Sequence, residues 1–207
     1  MDTKVAIGCL RKLAVSDFGK KSIVDYEGLE ILYGLLCSCM HDLPSHISTG
    51  TGEPDSVIAN KRRACVVERT LSVMSAISLR NKQVVSNMFS EGYFAAFMEV
   101  MHSHLHNPSI ARQCCMLIRN CAVQEKAYQV CHGVSEILLN ETSSQCAFLN
   151  LGAEELLRSV KTLHPNTCSD VGSAALRDLN CENYNQHWNP RTLVLGTGGV
   201  LVETKDL

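Results

Sequence analysis

Three histidines, His102, His104 and His106 in "HSHLH", are the first residues whose type and spacing suggest chemistry. On a helix His102 and His106 stand at i and i+4, and two imidazoles so placed can share a zinc ion. No third ligand stands at a fixed spacing from them. Polar residues closing a helix explain them better, because a protonated imidazole complements the C-terminal end of the helix dipole. "CSCMH" (Cys37, Cys39, His41) lacks the two-residue spacer of zinc-binding cysteine pairs. On a helix those two thiols also face different sides, and Cys114–Cys115 are separated in the same way. "GTG" at 50–52 and "GTGG" at 196–199 are not followed by Lys-Ser/Thr and a helix, so neither reads as a phosphate loop. No H-E-x-x-H or G-x-S-x-G pattern occurs. The expectation is a non-enzyme with no catalytic residue, no metal and no cofactor.

The elements that carry these residues set the rest of the reading. The chain has 207 residues, 45% hydrophobic, enough for one core of ordinary size. Aromatics are only 5%, which tilts the balance from β-sheet towards helix. A net charge of −2 argues against a dedicated nucleic-acid binder, which carries a basic excess. The longest uncharged apolar run is too short to span a bilayer. Eleven cysteines, an odd number, lie mostly inside apolar helical runs, and the N-terminus lacks the pattern of a secretory signal. They read as reduced thiols filling a core in a cytoplasmic or nuclear protein.

Apolar residues recur at helical spacing up to about residue 180. "VAIGCLRKLAV" reads as a helix with Val5, Cys9, Leu10 and Leu13 on one side. "EGLEILYGLLCSCM" stacks Leu29, Leu32, Leu36 and Met40. A Gly/Pro/Ser/Thr-rich loop covers 42–56, and a long helix is expected from about Asn60 to Ser78. The order then repeats: short helix, Gly, longer helix, break, longer helix. "CLRKLAV" (9–15), "LIRNCAV" (117–123) and "ALRDLNC" (175–181) close three of the long helices, with a weaker copy in "VMSAISL". Their marker positions Arg11, Ser75, Arg119 and Arg177 are 64, 44 and 58 residues apart. Three-helix repeats of about 40–47 residues fit the middle gap. The loop at 42–56 and an excess at 129–146 account for most of the others.

"SDFGKKSIVDYEGLEILYGLL", "RNKQVVSNMFSEGYFAAFMEVM" and "AFLNLGAEELLRSVKTLH" each resemble the armadillo repeat, and "CLRKLAV" and "LIRNCAV" resemble the end of its third helix. The resemblance covers residues 1–182, with breaks near 41–57, 106–108 and 129–146. It implies an all-α, right-handed armadillo/HEAT-like solenoid whose third helices line a concave face. Residues 183–207 are a non-repeat tail, a hairpin around "GTGG" or disordered. The chain starts inside a third helix, so apolar surface should be uncovered there, with self-association or missing upstream repeats as the expectation.

In the armadillo family an Asn near the end of the third helix, with a Trp one turn earlier, clamps an extended peptide. By position the Asn place falls on Lys12, Ala76, Asn120 and Asp178, and the Trp place on Gly8, Ser72, Met116 and Ala174. One amide cannot form a ladder, which disfavours the import-receptor mode. The expected function is a protein-interaction module or scaffold that holds a protein or extended peptide on the concave face. The expected groove is Lys12, Arg69, Gln113, Met116, Asn120 and Asp178, whose alternating charges favour neither acidic nor basic ligands. A nuclear-transport-like adaptor and a small His/Cys metal-binding module are the alternatives.

Overall fold

The computed structural model describes residues 3–41, 54–132, 143–185, 193–195 and 201–203. Outside them lie both "GTG" stretches, most of the 42–56 loop, residues 133–142 of the expected excess and much of the tail. The described chain is all-α except for a terminal β-hairpin. Ten helices are described: α1 (Thr3–Leu13), α2 (Asp17–Asp25), α3 (Gly28–His41), α4 (Pro54–Ser78), α5 (Lys82–Ser90), α6 (Tyr93–Ser103), α7 (Pro108–His132), α8 (Ser144–Asn150), α9 (Ala153–Leu163) and α10 (Pro165–Asp178). Strands β1 (Leu193–Leu195) and β2 (Leu201–Glu203) pair antiparallel, with Val194 opposite Val202.

After α1 the helices fall into three triplets: α2–α3–α4, α5–α6–α7 and α8–α9–α10. The same local chemistry opens each one. The short first helix is capped by Ser16, Asn81 or Ser143, whose side-chain oxygen accepts the N–H of the residue three places on. The link to the second helix turns through a residue with positive φ: Glu27 (56°), Gly92 (72°) and Gly152 (78°). Glycine adopts that conformation freely and glutamate does not. Proline opens each of the three long third helices (Pro54, Pro108, Pro165), where its missing N–H has no helical partner to lose.

Two expected boundaries move. The long helix α4 starts at Pro54 rather than near Asn60, so 54–56 are helix and not loop. The break set at 129–146 is too wide. Helix α7 continues through His132, and Ser143–Cys146 form the cap and first turn of α8.

The third helices form the spine. Helix α1 packs on α4, α4 on α7 and α7 on α10. An offset of 44 residues superposes one buried stripe on α4 and α7. On α4 it is Thr70, Leu71, Val73, Met74, Ile77 and Ser78, and on α7 it is Cys114, Cys115, Leu117, Ile118, Cys121 and Ala122; all twelve are buried. Stacked rings join neighbouring triplets elsewhere. Tyr33 of α3 lies on Tyr93 of α6 with centroids 3.7 Å apart, and Phe94 of α6 lies on Phe148 of α8 at 4.1 Å.

The two ends differ. After α10 the chain is tied back: Arg158 donates to the Glu182 carbonyl at 2.7 Å, and buried Lys161 donates to the Tyr184 carbonyl. On α1 the apolar face does not point inward as its periodicity suggests. Ile7 and Ala14 are buried and Leu10 partly so, but Val5, Cys9 and Leu13 are exposed. Among the described residues no helix pair lies over that side of α1 as α2–α3 lie over α4.

Candidate functional site

The strip formed by α1, α4, α7 and α10 holds all six expected groove residues, in very different states. Lys12 is exposed near the end of α1. Arg69, half-buried on α4, reaches back to α1, where its guanidinium donates to the Lys4 carbonyl at 2.9 Å. Gln113 and Met116 lie half-buried one turn apart on α7, with Met116 packed against the core. The Asn120 amide donates to the Ser75 carbonyl of α4 at 2.8 Å and approaches the Ser75 hydroxyl at 3.3 Å. Asp178 is only 6% exposed; its carboxylate accepts from Arg119 of α7 at 3.3 Å and from Arg177 at 3.0 Å. The spine thus joins Asn120 to α4 and Asp178 to α7, whereas Lys12, Gln113 and Met116 present side chains at the strip itself.

Charges run across the strip between neighbouring helices. Arg11 of α1 stands 3.9 Å from Glu68 of α4. Arg112 of α7 grips Asp170 of α10 with both arms of its guanidinium, at 2.8 and 3.1 Å, and also donates to the Thr167 carbonyl. That fork holds the Asp170 carboxyl below the usual carboxylate range, chiefly through the hydrogen bond. Sequence reading missed Arg112 and Asp170. Their 58-residue separation equals the α7–α10 offset, which was the available signal.

A second polar feature lies at the first turn of α8. Buried Gln145 donates to the carbonyls of Ala122, at 3.3 Å, and Asp178, at 3.0 Å. Asn180 donates to the Gln145 side-chain oxygen at 3.2 Å. One amide therefore bridges a carbonyl within α7 and the last carbonyl of α10. This is structural bracing rather than a ligand site.

The metal-capable residues do not converge. Among the described residues no group of three or more His, Cys, Asp and Glu side chains is placed to hold a metal ion. His102 and His106 are exposed, while His104 turns inward and burial lowers its pKa. The thiols beneath the strip are poor nucleophiles. Burial pushes Cys114 up to about 12 and Cys115 well above its ordinary value. No described helix is long and apolar enough to cross a membrane.

Comparison with family models, with curated proteins and with solved structures finds no match to this chain.

Proposed function

We propose that the chain is an armadillo-like, right-handed α-solenoid that works without catalysis, as an interaction module or scaffold in the cytoplasm or nucleus. The observation that carries this reading is the triple use of one short–medium–long helix unit with its long helices side by side. Such stacking turns one face of every long helix into a continuous surface. The strip has a ligand-binding middle between braced ends. Ser72 and Ala76 on α4 and Gln113 and Met116 on α7 are half-buried, small or adaptable. The partner is a protein or an extended peptide segment. Its backbone is not held by an Asn ladder, because Asn120 is the one matching amide and it donates to Ser75. This argues against the import-adaptor variant.

Proximity labelling of the chain in cells tests the reading. Ser72→Arg combined with Gln113→Arg fills the middle of the strip without touching the buried stripe. Partners enriched by the unaltered protein should fall about tenfold, the equivalent of ~1.4 kcal/mol. Glu99→Arg, on the exposed side of α6, should leave them in place. A partner set that ignores the double substitution would remove the strip as the binding face.

A further inference from the structure

The uncovered side of α1 carries the farthest-reaching observation. In the register that aligns the third helices, Cys9 and Leu13 occupy the places of Val73 and Ile77 on α4 and of Leu117 and Cys121 on α7. Those four are fully buried, whereas Cys9 is exposed and Leu13 is 52% exposed. Val5 extends the line one turn back at 54%, and Val15 and Phe18, just past the helix, are more than four-fifths exposed. A core stripe is present here without its cover.

We propose that a second copy of this chain supplies the cover, in a two-fold dimer across α1. Val5, Cys9 and Leu13 are spaced four apart, so they form an i±4 ridge of the kind that interdigitates between crossing helices. The ridge is self-complementary about its centre. A two-fold axis beside Cys9 sets Val5 of each copy against Leu13 of the other, and the small thiol at the crossing lets the helix axes approach. The size also fits. Val5, Cys9, Leu13, Val15 and Phe18 together expose on the order of 600 Å². That approaches the ~800 Å² per copy of a standard interface. Among the described residues, 182–184 at the opposite end are tied over α9 by Arg158 and Lys161. A two-fold interface pairs the same patch on both copies and closes at two. The dimer is independent of what the third-helix strip binds.

Sedimentation velocity of the full chain under reducing conditions, from about 1 to about 100 µM, provides the test. A concentration-dependent dimer is expected, and Leu13→Lys should raise its Kd about tenfold or more by placing a charge in the ridge. A chain that stays monomeric throughout, its α1 face being reserved for another protein's helices, overturns the proposal. So does a dimer indifferent to Leu13→Lys in a variant with native helicity. Should Leu13→Lys fail to fold, the native protein still decides. Diamide, which accepts the two electrons of thiol coupling, should link two copies through Cys9. That link should vanish in Cys9→Ser, and a link of equal yield in Cys9→Ser, or none in the native protein, refutes the two-fold arrangement.

Discussion

Asp178 and Asp170 show how burial sets the worth of one side-chain type. Both carboxylates accept from an arginine of α7. The Asp178 side chain is 9% exposed and that of Asp170 66%. An exposed ion pair contributes roughly 0–1 kcal/mol, because water screens it and two long side chains lose freedom. The hydrogen bonds to a buried carboxylate are shielded from water on its side and contribute about 1–3 kcal/mol, although the Arg119 and Arg177 side chains are themselves about half exposed. Asp178→Ala should therefore lower the midpoint of urea unfolding clearly, while Asp170→Ala should shift it little. His104 adds a pH dependence of definite sign. Its folded pKa lies below the ordinary 6.5 because burial disfavours the imidazolium, and its buried Nε2 has no hydrogen-bond partner among the described residues. Between the folded pKa and 6.5 the unfolded chain binds more protons, so the stability from neutral His104 is complete above pH 6.5 and declines as pH falls below it. A melting-temperature profile from pH 7.5 to 5 should be flatter for His104→Gln than for the native chain.

At the scale of elements, the first triplet departs from the other two where sequence reading saw a match. "YEGLE", "SEGYF" and "NLGAE" invite alignment of their glycines, but the turn residue with positive φ is Glu27, Gly92 and Gly152. Gly28 sits one place later for another reason: a Cβ there would lie 2.5 Å from the Ile23 carbonyl oxygen. Glu27→Gly should stabilise the protein by about 0.5–1 kcal/mol in thermal unfolding, since it relieves a left-handed glutamate on an exposed turn. Gly19→Ala should do the reverse and cost several kcal/mol, because its Cβ would meet the Leu13 carbonyl carbon and oxygen at 2.7 and 2.0 Å. Helix type and order were legible because a 3.6-residue apolar period survives in every long element. So was the register of α4 on α7, whose markers carry the same 44-residue offset as the buried stripe. Less was legible of the candidate site. Asn120 reads as a groove amide by position, yet its acceptor is Ser75, 45 residues earlier, and nothing local in "IRNCA" announces that bond. The start of α4 was missed because Pro and Gly near 52–54 read as loop, although proline also opens helices.

At the scale of the whole molecule, neighbour contacts set a stability gradient. Helix α7 packs against α4, α5, α6, α8, α9 and α10, whereas α1 rests chiefly on α4 and α2. In a stack stabilised by intrinsic terms and nearest-neighbour interfaces, the element with fewest interfaces opens first. Amides of α1 and α2 should therefore exchange through partial openings that cost less than global unfolding, while those in the middle of α7 should exchange only through the global transition. Two core truncations separate this gradient from uniform cooperativity. Leu117→Ala, in the buried stripe of α7, should cost about 2–5 kcal/mol and reduce protection throughout α4–α10. Ile7→Ala removes an equally buried side chain, but from the least supported helix. It should speed exchange in α1 and α2 and leave α7 and α10 nearly unchanged. If both variants lower protection equally along the whole chain, the array behaves as one cooperative block and the nearest-neighbour account is wrong. Dimer formation would act on the same gradient by mass action, because a second copy adds an interface where α1 has fewest. Exchange in α1 should then slow as protein concentration rises, while exchange in the middle of α7, measured in the same samples, should change far less.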